Sequence, residues 1–223
     1  MMAGTRIFVW DWPTRLFHWL LVILLGISWW SAESDNFDAM QWHYLSGYTI
    51  LGLLVFRLAW GIFGGSTARF ADFVRGPGKV MAYLKGAAPD TPGHNPLGGW
   101  SVLLMLLLLF TQVGLGLVAV DVDGIESGPL SYLVSFDTAR SAAELHETVF
   151  KILQVVVAIH VLAILWYRFG KGMNLIGAMV TGYRAGGADG SGEARAAPLW
   201  RFLLAAALGI VVASFVAKGL SFG

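Results

Sequence analysis

Residues 145–166, LHETVFKILQVVVAIHVLAILW, place two histidines in a run apolar enough to cross a bilayer. About twenty such residues suffice for a transmembrane helix. His146 and His160 are fourteen residues apart. That is almost four helical turns, so they share one face and lie about 21 Å apart along the axis. An ionisable side chain in hydrocarbon is costly and is kept where it has a partner. His18 and His43 begin two other apolar runs, so four histidines call for partners. The spacing leaves room for two stacked cofactors, and two haems, each held by two imidazoles, would use all four.

Composition points the same way. The chain is 57% hydrophobic and 13% charged, with 10 Trp and a mean hydropathy of +0.66, which is the profile of a membrane protein. At 223 residues it suits one compact bundle. A net charge of +1 gives no ground for nucleic-acid binding. Cysteine is missing altogether, which excludes disulfides, iron–sulfur clusters, thiolate-ligated haem and covalent haem attachment. Any haem must be non-covalent and nitrogen-ligated. A zinc or copper site would need its ligands to converge on one point, which a separation of about 21 Å forbids. One membrane histidine alone could hydrogen-bond a carbonyl, line a proton path or bind a metal ion. Four in matched pairs favour haem.

Apolar runs predict five spans, at residues 13–32, 43–63, 100–120, 145–166 and 199–216. Residues 64–99 form a polar connector rich in Gly and Pro that carries Arg69, Arg75, Lys79 and Lys85. The positive-inside bias makes it cytoplasmic. Arg6 and Arg15 before the first span, and Arg168, Lys171 and Arg184 after the fourth, fall on the same side. The opposite loops hold Glu33, Asp35, Asp38, Asp121, Asp123, Glu126, Asp137 and Glu144 against Arg140 alone. The N-terminus is thus expected in the cytoplasm of a bacterial inner-membrane protein, and the C-terminus in the periplasm. Arg6 and Arg15, with Ser31 and Ala32, mimic a secretory signal. Cleavage there would discard His18, so the segment reads as a retained anchor. Trp29, Trp30, Trp42 and Trp100 stand at span ends, where interfacial anchors belong.

Orientation decides which histidines pair. His43 opens the second span at the outer side and His146 opens the inward-running fourth, so these two are level. His18 and the deeper His160 are level near the cytoplasm. The expected iron ligands are therefore His18 with His160 for an inner haem and His43 with His146 for an outer one.

Motifs across residues 10–184 sharpen this reading. They are Trp10-Asp11 with Arg15, Phe17, His18 and Trp19; His43 with Ser46, Gly47 and Tyr48; Phe56-Arg57-Leu58 with Trp60-Gly61; Gly93-His94-Asn95-Pro96-Leu97-Gly98; and Leu145-His146-Glu147-Thr148 with His160. Together they resemble the bacterial cytochrome b561 family, which is related to the b-type cytochrome subunits of nickel–iron hydrogenases and formate dehydrogenases. The resemblance implies an all-α integral membrane protein with a four-helix transmembrane bundle holding two b haems, and it places the ligand roles on the four histidines. Residues 1–184 would form this dihaem domain. Residues 185–198, with Gly186, Gly187, Gly190 and Gly192, read as a flexible linker. Residues 199–217 add a peripheral fifth helix without histidine.

Other residues are candidates for contacts around the haems. Arg57 lies fourteen residues after His43, on the same helical face and near the inner haem. Its guanidinium could clamp a propionate or snorkel to the interface. His94, in the connector, could contact a propionate or quinone, or simply cap a loop. Arg15 and Arg168 are weaker candidates for the same work. Gly47, Gly52, Gly114 and Gly116 could admit a porphyrin face or serve helix packing. Lys151 could pair with Glu147, which reads as an interfacial charge.

Two such haems would carry single electrons from one membrane face to the other. The expected function is respiratory-chain electron transfer between the quinone pool and a periplasmic redox protein, such as a c-type cytochrome or a hydrogenase-like module. Quinone would bind near the inner haem, lined by Trp19 and His94. The acidic outer loop, residues 121–144, would dock a basic partner. Two alternatives stand beside this: a superoxide:quinone oxidoreductase, against which the acidic outer loops argue, and a non-haem membrane transporter.

Overall fold

The computed structural model describes residues 6–36, 38–86, 93–185 and 194–221. Among the described residues, five helices are long and apolar enough to cross a membrane: α1 (Trp12–Ala32), α2 (Ala39–Phe63), α5 (Pro96–Val118), α6 (Phe136–Gly170) and α8 (Leu199–Ala217). Between them lie α3 (Phe70–Phe73), α4 (Pro77–Leu84) and α7 (Leu175–Thr181). Each spanning helix satisfies its own backbone hydrogen bonds, the condition for crossing lipid. Their surfaces are apolar and outward-facing. Only 6% of the most apolar window of α6 is buried within the protein, and Ile159, Leu162 and Trp166 stand exposed on it. Such a surface suits hydrocarbon as solvent. Trp29, Trp30, Trp42 and Trp100 are exposed near helix ends, as interfacial anchors require.

Two findings depart from the sequence expectation. Helix α6 starts at Phe136, nine residues ahead of the apolar run, and its 35 residues span about 52 Å. The reason is local. Ser135 caps the start, accepting from the Thr138 amide at 3.3 Å, and Asp137 lies in the first turn, where a negative charge suits the helix dipole. This extension carries Arg140 and Glu144, so a search for apolar runs passes over it. The loop expected at 121–144 is therefore shorter and ends in helix.

The second is a small antiparallel pairing of β1 (Arg6–Phe8) with β2 (Tyr183–Ala185), with Ile7 opposite Arg184. Gly182 turns the chain into β2 at φ 87°, a conformation that favours glycine. Its carbonyl accepts from the Val9 and Trp10 amides at 2.8 and 3.2 Å. The pairing puts residues 6–8 and 183–185 on one side of any membrane.

The chain divides into two compact units. Unit one comprises Met1–His18, Arg57–Leu104 and Ala158–Leu203, and unit two Trp19–Phe56, Met105–Val157 and Leu204–Gly223. Around the strands of unit one, Val9, Trp10 and Ala178 pack with Ile7 and Met179. Asp11 caps α1 through the Thr14 amide at 3.0 Å and accepts from the Trp60 indole at 3.2 Å. Asn95 caps α5 through the Gly98 amide at 2.7 Å, followed by Pro96 at the first helical position.

In unit two, α8 packs on α2 through small residues. A Cβ on Gly52 would lie 3.1 Å from the Gly209 carbonyl oxygen and 3.3 Å from the Ala213 Cβ. That close backbone approach is how helices associate in lipid. Ala205 is fully buried, whereas Ile210 and Val211 face outward.

Candidate functional site

The four membrane histidines sort by unit. His43 and His146 belong to unit two, and His18 and His160 to unit one, together with Arg57 and His94.

In unit two, α2 supplies His43 and α6 supplies His146, with ring centroids 6.1 Å apart and planes at 73°. Each ring is held from behind. His43 Nδ1 donates to the Ser28 carbonyl of α1 at 3.0 Å, and His146 Nδ1 donates to the Gln112 carbonyl of α5 at 2.8 Å. A carbonyl oxygen only accepts, so Nδ1 is the donor in both rings, which in a neutral imidazole leaves Nε2 as the acceptor. This is the arrangement that orients a ligating imidazole. A metal–imidazole bond is about 2 Å. Ring centres 6.1 Å apart would therefore leave room for one metal ion between the two imidazoles.

Glycine makes the second half of this geometry. A Cβ at Gly116 would stand 2.9 Å from His146 Cε1, so only glycine lets the ring lie against α5. Gly47 and Gly114 have no described atom within 4 Å of a Cβ position, whereas Gly52 serves the contact with α8. The four glycines thus divide between room for the His146 ring, open ground and helix packing. Behind His43, Ser46 Oγ donates to the His43 carbonyl at 3.0 Å and lies 2.6 Å from Ser28 Oγ, tying α1 to α2.

In unit one, His18 of α1 and His160 of α6 are close enough to interact electrostatically. Arg57 is buried, 3% exposed, rather than drawn out to the interface. It donates to the Ala68 carbonyl at 3.2 Å and stacks 4.7 Å over Phe70. A guanidinium carries five donors, so the Ala68 bond uses a fraction of its capacity. His94 lies between Trp10 and Phe73, with ring centroids 4.6 and 4.5 Å away. Burial, then the Arg57 charge, then His160 push its imidazole down to about 3, so it is neutral at physiological pH.

Other candidates have plainer positions. Lys151 pairs with Glu147 at 2.6 Å on the exposed face of α6. His146 takes its orientation from Gln112 instead of its neighbour Glu147. Arg15 donates to the Val180 carbonyl at 2.6 Å, and Arg168 and Trp19 are exposed. The linker glycines Gly186, Gly187, Gly190 and Gly192 lie outside the described residues. Among the described residues, no three His, Cys, Asp or Glu side chains are grouped to hold a metal ion.

Sequence reasoning missed the anchors. The Ser28 and Gln112 carbonyls leave no signature in side-chain identity. Nor did it find the cluster in which Asn95 Nδ2 donates to the Tyr83 and Tyr167 hydroxyls at 3.0 and 2.9 Å, the hydroxyls being 2.6 Å apart.

A search of curated proteins found no match, and neither did a search of solved structures. A family match, in contrast, extends over residues 9–182, well over half the chain and including all five histidines. With five apolar helices among its described residues, the chain belongs to the prokaryotic cytochrome b561 family and is a membrane-embedded b-type cytochrome of electron transfer.

Proposed function

We propose that this cytochrome holds two b haems and passes electrons between the quinone pool and a periplasmic redox protein such as a c-type cytochrome. The observation that carries the reading is the His43–His146 pair, with ring centres 6.1 Å apart and both Nδ1 atoms anchored on carbonyls. His43 and His146 would hold the outer haem, and His18 and His160 the inner one. Bound haem would supply a reversible one-electron couple at each level. The protein's share is orientation and electrostatics: the Ser28 and Gln112 carbonyls fix the imidazole tautomers, and Gly116 clears space for His146. Arg57 is suited to hold an anionic propionate beside the inner pair, since a buried guanidinium with unspent donors favours a carboxylate. His94, kept neutral, can exchange a hydrogen bond there with a propionate or a quinone oxygen without adding charge.

In this reading the N-terminus is cytoplasmic and the C-terminus periplasmic. Residues 1–184 form the dihaem domain, 185–198 a linker and 199–217 an added helix. The α5–α6 connection and the first turns of α6, with Asp123, Asp137 and Glu144 exposed, would face a basic partner. The superoxide reading gains nothing from the cations nearby. Arg140 is engaged by the Val120 carbonyl and Glu144, and Lys151 by Glu147.

The test is a pyridine haemochrome assay with reduced-minus-oxidised spectra on the purified protein and four histidine-to-alanine variants. Two b haems per chain are expected. His43→Ala and His146→Ala should each remove one haem, and His18→Ala and His160→Ala the other. Full haem content in all four variants would overturn the assignment.

A further inference from the structure

The two carbonyls that anchor His43 and His146 are not equivalent. Ser28 O accepts from His43 Nδ1 at 3.0 Å and also from Ser31 Oγ, again at 3.0 Å. Ser31 is itself only 2% exposed. Gln112 O accepts from His146 Nδ1 at the shorter 2.8 Å. The hydroxyl beside it, Thr111, turns away and donates to the Leu107 carbonyl at 2.9 Å.

A second donor on a carbonyl draws down the electron density that the first can use. The Nδ1–H bond of an imidazole governs how basic its Nε2 is toward a metal. A stronger bond gives the imidazole more imidazolate character, which favours the oxidised metal. A weaker bond favours the reduced one.

We infer that Ser31 is a positioning residue that raises the reduction potential of the haem held by His43 and His146, by sharing the carbonyl on which His43 is anchored. The inference rests on the ligand roles proposed above. Ser31 acts on the electron-transfer couple through His43 alone. The Thr111 hydroxyl, bonded to the Leu107 carbonyl, touches neither anchoring oxygen, so it provides an internal control.

The experiment is an equilibrium redox titration of the intact, haem-loaded protein, with the midpoint of this haem identified by its loss in His43→Ala. In Ser31→Ala, His43 has the Ser28 carbonyl to itself among hydroxyl and imidazole donors, and the midpoint should move down. Ser31→Thr restores a hydroxyl able to bond back along the helix and should return it toward the parent value. Thr111→Ala removes a hydroxyl bonded to neither anchoring carbonyl and should leave the midpoint in place. An unchanged or raised midpoint in Ser31→Ala at full haem content would overturn the inference. So would an equal downward shift in Thr111→Ala, since general loosening would then suffice. Should Ser31→Ala fail to assemble, Ser31→Cys substitutes a weaker donor and should give a smaller shift in the same direction. Haem content unaffected by His43→Ala would instead remove the ligand assignment itself, a result separable from any midpoint.

Discussion

Gly116 and His146 form one steric unit. A methyl group at position 116 would press into the imidazole at 2.9 Å from Cε1. The ring cannot retreat without giving up its 2.8 Å bond to the Gln112 carbonyl. Overpacking of this kind costs about 1–3 kcal/mol, and it falls directly on a proposed haem ligand. Gly116→Ala should therefore lower occupancy of the outer haem while the inner one stays, seen as a fall from two haems toward one in the haemochrome assay. Gly114→Ala, with nothing within 4 Å of its Cβ position, should leave both. The histidines were legible in sequence because ionisable groups in apolar runs need a reason. The glycine's task was not, because the helix it faces is decided by tertiary packing. Arg57 shows the same boundary: spacing placed it on the His43 face, yet its seat over Phe70 depends on how residues 64–73 fold back.

At the scale of the elements, apolar length located all five spanning helices, and their ends moved wherever side-chain caps took over from hydropathy. Helix α5 begins at Pro96 instead of Trp100 because Asn95 caps it. That asparagine has a second task, since Nδ2 donates to two tyrosine hydroxyls, one from α4 and one from α6. Loss of an N-cap costs about 1 kcal/mol, and loss of the donors adds to it. Asn95→Ala should lower the thermal midpoint of the detergent-solubilised protein. Asn95→Asp retains the capping oxygen and should lower it less. Equal loss in the two variants would mean that the tyrosine bonds, not the cap, carry the effect. The helical start of α6 escaped the hydropathy scan for a related reason, because Asp137, Arg140 and Glu144 make its first turns polar.

For the whole molecule, charge asymmetry supplies the proposed orientation, and the lack of cysteine makes that orientation easy to test. Asp123→Cys, in the α5–α6 connection, should react with a membrane-impermeant maleimide on intact spheroplasts. Lys79→Cys, in α4, should react only after the membrane is permeabilised, and the reverse pattern would invert the topology. The level-matching that paired the histidines rests on this same charge asymmetry, so the labelling experiment bears on the pairing as well. The β1–β2 pairing was not legible in sequence, for its three-residue strands carry no periodic signal and join Arg6 to Ala185. That pairing has a consequence for biosynthesis. At about 5–20 residues per second, the ribosome needs on the order of ten to forty seconds after making β1 to deliver β2. Throughout that delay the N-terminal strand has no mate, and neither histidine pair is complete until α6 emerges. The nascent chain thus passes a long interval with its helices inserted and its histidine pairs incomplete, and a late-made strand closes onto the first.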